Sequence, residues 1–184
     1  MPRRGCRQPP HIEVRGFTLI ELLVVIAVSG VLLAVAVPAF STFVLSERQG
    51  AQTNSLVFTL NFARSEAIKQ DSPGGIEVCA SSDGATCTGG TGPWSQGWIV
   101  VPAGGGTVLL AVPALSGGNT LTAANVTSTT FAPNGLPSTN ITFNLCDRRG
   151  AAYARYIELG VAGRVYVGPT PGINPLTNVA LTCP

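Results

Sequence analysis

The chain opens with a polar, basic stretch, Met1 to Gly16, and then changes character abruptly. Phe17 to Phe40, 24 residues, is dominated by Leu, Val, Ile and Ala, and the 25 positions from Leu22 to Ser46 hold no charged residue. At about 1.5 Å per residue, a helix of that length covers a hydrocarbon core of roughly 30 Å, so the run predicts a membrane-spanning helix. Pro38 lies inside the pattern and predicts a kink. From Glu47 to Gln70 polar and apolar positions interchange with helical spacing. Leu56, Leu60, Ala63 and Ala67 fall at intervals of 4, 3 and 4, a stripe that Phe58 and Phe62 widen and that predicts core packing. Asn54, Asn61 and Arg64 lie elsewhere on the wheel, and Glu66 is within reach of Lys69 or Gln70. Asp71-Ser72-Pro73-Gly74-Gly75 stops the helix. One helix from Phe17 to about Gln70 would be about 80 Å long.

Beyond Gly75 the apolar runs are short and turn residues dense. Ile76 to Ala80, Gly97 to Val101, Thr107 to Val112, Thr139 to Cys146 and Tyr153 to Leu159 suit strands. Gly163 to Val167 follows after the short connection Gly160 to Gly163, which reads as a hairpin. No repeat and no interdomain linker is visible. The pattern predicts an α+β protein: a long N-terminal helix, its first half transmembrane, its second half packed on an antiparallel β-sheet head. Boundaries fall at 17–45 for the spanning segment and 46–184 for the head, with the amphipathic helix over 46–70 and the β-rich part over 76–184.

Charge refines the membrane reading. Arg3, Arg4, Arg7 and Arg15 against the single acid Glu13 place the N-terminal side in the cytoplasm and the head outside it. A cleaved secretory signal has the same outline, and Ala34-Val35-Ala36 resembles its cleavage site. Glu21 speaks against it. An acid in an apolar run costs a few kcal/mol on insertion scales unless it has a partner. The nearest source of positive charge at that depth is the α-amino group freed if the chain is cut between Gly16 and Phe17.

These residues carry a resemblance. Arg15-Gly16-Phe17-Thr18-Leu19-Ile20-Glu21, followed by Leu22-Leu23-Val24-Val25-Ile26, resembles the class III signal of type IV pilins and type II secretion pseudopilins. The resemblance implies a leader over residues 1–16, cleavage after Gly16 by a prepilin peptidase at the inner membrane, and N-methylation of Phe17. It also implies that Glu21 pairs with the terminal amine of a neighbouring pilin or pseudopilin, so that each buried charge neutralises the other. Phe62-Ala63-Arg64-Ser65-Glu66-Ala67-Ile68-Lys69 is similar to the FimT/GspH branch. So are Val78-Cys79-Ala80-Ser81-Ser82-Asp83-Gly84, Gly97-Trp98-Ile99-Val100, Phe131-Ala132-Pro133-Asn134-Gly135 and Gly163-Arg164-Val165.

Composition narrows the chemistry. Apolar residues make up 45% of the chain, enough for a core, and the formal charge of +2 is too small for a strongly basic nucleic-acid module. Loss of the leader removes four of the eleven basic residues, one of the nine acids and the single His, His11, leaving a formal charge of −1. A His-dependent triad or His-rich metal site is then excluded, no Gly-Lys-Ser/Thr phosphate loop exists, and no enzyme activity, cofactor or metal is expected. Asp83, Asp147 and Glu158 are the acids that can meet in space. Removal of Cys6 leaves Cys79, Cys87, Cys146 and Cys183, which allow three disulfide pairings outside the cytoplasm. Cys79 with Cys87, closing a short loop, and Cys146 with Cys183, pinning the C-terminus, is the pairing we favour. Arg148, Arg149, Arg155 and Arg164 gather in the last forty residues. Some FimT-type pilins bind DNA through a Gly-Arg-x-Arg segment; here Tyr166 stands at the second Arg. Arg148, Arg149, Arg164 and Tyr166 are accordingly the candidate DNA contacts, through phosphate pairing and base stacking.

Overall fold

The computed structural model describes residues 16–71, 73–89, 93–124 and 126–184. Apart from Gly16, the expected leader, with Cys6 and His11, lies outside the described residues. The chain forms two compact units, one ending at Phe43 and one spanning Val44–Pro184.

The helix α1 (Leu19–Gln70) contributes residues to both, and Pro38 lies inside it without ending it. The Ser41 and Thr42 hydroxyls donate to the Pro38 carbonyl at 2.8 and 3.1 Å. Between Gly16 and Phe40 every described residue is exposed. In the second unit α1 buries Leu45, Gln49, Thr53, Leu56, Leu60, Ala63 and Ala67, a stripe with helical spacing along its whole length. Phe62 is half-buried against this core, but Phe58 is 61% exposed, contrary to expectation. Two residues from both Leu56 and Leu60, it points about 200° away from them on the helical wheel. The helix stops at Asp71, which takes a left-handed φ of 46°, the conformation that commonly closes a helix.

Among the described residues ten strands follow: β1 (Ile76–Ala80), β2 (Gly97–Pro102), β3 (Leu110–Pro113), β4 (Thr120–Ala123), β5 (Ser128–Phe131), β6 (Ile141–Cys146), β7 (Arg155–Leu159), β8 (Val165–Val167), β9 (Ile173–Asn174) and β10 (Val179–Ala180). They build two four-stranded antiparallel sheets, ordered β3-β2-β1-β5 and β4-β6-β7-β8, and a small β9-β10 hairpin. The single sheet anticipated from sequence is thus two. β4 and β5 escape the hydrophobic pattern because they are short and rich in Thr. The Tyr153 end of the predicted β7 is instead a 3-10 turn, Ala151–Tyr153.

Both sheets contribute to one core against α1. Leu56, Leu60, Ala63 and Ala67 meet Val78 and Trp98 of the first sheet and Leu121, Phe143 and Ile157 of the second. Each buried indole finds a polar partner, as burial requires. Trp98 Nε1 donates to Thr59 Oγ1 at 3.0 Å and Trp94 Nε1 to the Val126 carbonyl at 2.8 Å, with Trp94 edge-on to Phe143. Disulfides join Cys79 to Cys87 and Cys146 to Cys183, with Cα–Cα distances of 5.5 and 5.9 Å.

The two faces of α1 make a stability test. Leu60→Ala should cost about 3 kcal/mol, because Leu60 is fully buried and its loss leaves a cavity. Phe58→Ala should cost less than about 0.5 kcal/mol at its exposed site. Chemical denaturation of the two variants measures the difference, and equal losses would mean that the buried face is misassigned.

Candidate functional site

The chemistry-bearing residues fall into two groups. In the N-terminal unit, Thr18 starts α1: its Oγ1 accepts from the Glu21 backbone N–H at 3.3 Å, and its carbonyl accepts from the Leu22 N–H at 3.2 Å. Thr18-Leu19-Ile20-Glu21 therefore has the spacing of a capping box, with Glu21 in the first turn, where the helix dipole favours an acid. Phe17 is 86% exposed, and the side chains after it, Leu19, Ile20, Leu22 and Leu23, are all more than half exposed. α1 is long and apolar enough here to cross a membrane. Among the described residues Glu21 has no ion-pair partner.

In the head, the connection between β6 and β7 is fastened to α1. The Gln49 amide donates to the carbonyls of Leu145 and Tyr153 at 3.1 and 2.9 Å. The Arg149 guanidinium pairs with the fully buried Asp147 carboxylate at 2.6 Å, donates to Ser46 Oγ at 2.9 Å and lies 4.4 Å from the Tyr153 ring centroid. Burial alone raises the Asp147 pKa. The hydrogen bonds from the Arg149 side chain and backbone N–H, with the Arg149 and Arg148 charges, outweigh it, and the carboxyl is held below its ordinary value. Arg149, a candidate DNA contact, is thus engaged within the head.

The remaining candidates do not converge. Arg148 is exposed in the turn before β7, whereas Arg164 is exposed in the turn after it. The five-residue strand β7, about 16 Å long, runs from the first turn to the second. Tyr166, on β8, lies directly opposite Glu158 of β7, and Glu158 in turn accepts from the Tyr156 hydroxyl at 3.1 Å. Asp83 accepts from Ser81, Ala85 and Thr86, most strongly from the Thr86 hydroxyl, which depresses its pKa well below the carboxylate range and folds the Cys79–Cys87 loop around it. Asp83, Asp147 and Glu158 thus each serve their own neighbours.

Sequence reasoning passed over Arg64. It donates to the Gly163 carbonyl at 3.0 Å and packs between two turns. At Gly163, where φ is 71°, a Cβ would strike the Gly135 carbonyl and press on Arg64. The segments around Arg64, Gly135 and Gly163 are three of those quoted above from the FimT/GspH pattern. Their convergence on one spot was not visible from any of them alone.

A long apolar helix with an acid in its first turn, continuing into an antiparallel β head, defines a class: subunits of type IV pili and type II secretion filaments. The comparisons agree. Residues 14–37 match the prokaryotic N-terminal methylation motif, and residues 52–163, more than half of the chain, match the type II transport protein GspH. The chain therefore belongs to the GspH family of minor pilins and pseudopilins. Two crystal forms of the type IV minor pilin FimU of Pseudomonas aeruginosa are similar in fold, at 25% identity and TM-scores of 0.53 and 0.56. They cover 65% and 69% of this chain and 92% of the FimU chain. No curated protein matches.

The Asp147–Arg149 pair gives a pH prediction. Because the folded pKa of Asp147 is depressed, the pair stabilises the head above about pH 4 and loses that contribution as pH falls further. Arg149→Ala should cost about 3 kcal/mol at neutral pH by stranding a buried carboxylate. Asp147→Asn should melt with a shallower dependence on pH below about 4 than the parent. Parallel melting curves over that range would remove the pair from the account.

Proposed function

We propose that the chain is made as a precursor, set in the inner membrane by its apolar helix with the head in the periplasm, and cut after Gly16 by prepilin peptidase. The new terminus, Phe17, is methylated, and the product enters a type IV pilus or a type II secretion pseudopilus as a minor subunit. One observation supports this above the others: Glu21 stands in an apolar helix with no ion-pair partner among the described residues. A charge in that setting is tolerated when an opposite one reaches it. The terminal amine of an adjoining subunit supplies that charge, and capping by Thr18 holds the acid in the first turn, beside the terminus. The match to the N-terminal methylation motif lends the same support.

DNA capture during uptake is the alternative. It would rest on Arg164 and Tyr166, with Arg148 at the other end of the sheet and Arg149 held by Asp147. So few phosphate contacts give weak, salt-sensitive binding.

Glu21→Val should leave cleavage largely intact and reduce incorporation into sheared filaments by at least about ten-fold, read by immunoblot of filament and membrane fractions. Wild-type incorporation of that variant would contradict the pairing. For the alternative, a gel-shift titration of the full chain in detergent with duplex DNA should show no complex that Arg164→Ala weakens. A low-salt complex lost in Arg164→Ala would instead establish DNA binding.

A further inference from the structure

The head carries a feature that filament assembly through the N-terminal helix leaves unused. β3 is the outer strand of its sheet, and among the described residues no strand pairs with its far side. Its side chains split cleanly: Leu110 and Val112 face the core and are half-buried, while Ala111 and Pro113 are exposed. Each face borders a groove. The first, about 310 Å³, lies between β3 and α1, with Ala51 and Ser55 on one wall, Val112 and Leu115 on the other and Trp98 lining it. The second, about 290 Å³, lies between β3 and the Asp83 loop.

Both grooves are held open by fixed parts. Gln52 donates to the Ser116 carbonyl at 3.1 Å and accepts from Asn119 at 2.6 Å, securing the far wall of the first. Trp98 is anchored to Thr59. The wall of the second belongs to the loop closed by the Cys79–Cys87 disulfide and knotted around Asp83. An edge strand with a groove on each face is built to accept a further strand. Backbone pairing supplies the attachment, and alternate side chains enter one groove or the other.

Charge identifies the occupant. Arg48 lies on the first groove, half-buried, with no hydrogen-bond or ion-pair partner among the described residues. A guanidinium so placed selects a carboxylate. Among the described residues the other edge strands, β4, β5, β8, β9 and β10, contain no acid, so a second copy does not supply the match from a strand edge. We infer that β3 and its two grooves receive an extended segment of a different filament subunit, one that places an Asp or Glu against Arg48 and apolar side chains against Trp98. This rests on the filament reading only for the source of the segment; recognition itself belongs to the head.

The test uses the isotope-labelled full chain in detergent micelles and two strand-forming probes, the hexapeptide Thr-Val-Glu-Val-Thr-Val and its counterpart with Lys for Glu. The Glu peptide should shift the amides of Leu110 to Val112 and of Ala114 to Ser116 and protect from hydrogen exchange those among them that face away from β2. It should bind at least about ten-fold tighter than the Lys peptide, the size of one charge-assisted hydrogen bond. Arg48→Glu should reverse that preference. Ala51→Trp, which fills the groove without touching the charge, should abolish binding of both while leaving the second sheet's resonances in place. The inference is overturned if the Glu peptide leaves Leu110 to Ser116 unmoved, or if binding ignores both charge and Arg48→Glu. Wild-type incorporation of Glu21→Val with normal peptide binding would be failure of the filament reading alone, and lost incorporation of Glu21→Val with no peptide binding would be failure of this inference alone.

Discussion

A carboxylate within an uncharged apolar helix has to find a countercharge, and among the described residues of this chain Glu21 has none. Glu21 lies in the first turn of α1, and from Gly16 to Phe40 every described residue is exposed. Water does not accept that much apolar surface, and a hydrocarbon phase does not accept the acid alone. In the assembly proposed above, the hydrocarbon phase takes the apolar surface and a cation brought by a neighbour to the depth of the first turn neutralises the acid, so that the helix is completed as a member of an array.

The head solves a different problem, which is to hold two sheets to one helix. The stripe from Leu45 to Ala67 is apolar toward the C-terminal end and polar at Gln49 and Thr53. At that polar end packing is replaced by directed bonds: Gln49 to two carbonyls, and Ser46 to an Arg149 already paired with Asp147. Such a pair adds specificity of placement more than net stability. The Cys146–Cys183 bridge begins one residue before Asp147 and ties the C-terminal segment to the same place.

Periodicity made most of this legible. A 3.6-residue repeat in Leu56, Leu60, Ala63 and Ala67 placed the buried face, and a turn-rich tail marked the β head. Phe58 was misjudged because hydrophobicity was counted without its angle on the wheel. Gln49 and Thr53 were missed because a polar residue looks like a surface one until its partners are in place: for Gln49 the distant carbonyls of Leu145 and Tyr153, for Thr53 the Gln49 carbonyl one turn back. β4 and β5 are Thr-rich strands whose burial comes from the neighbours they pair with. In the candidate site, Gly16, Phe17 and Glu21 stood out through local order alone. The arginines did not, since Arg148 and Arg164 are sixteen positions apart in sequence yet opposed across β7, and Arg149 turns inward. Arg64 draws its meaning from two turns that lie far from it along the chain.

The claim beneath the rest is that a free, modified amine at Phe17 exists to meet Glu21. It is tested most directly by the intact mass of the protein recovered from membranes of a host with prepilin peptidase. The account predicts a chain beginning at Phe17 and carrying one added methyl group. A chain that retains residues 1–16, or that begins at Val37, would contradict it.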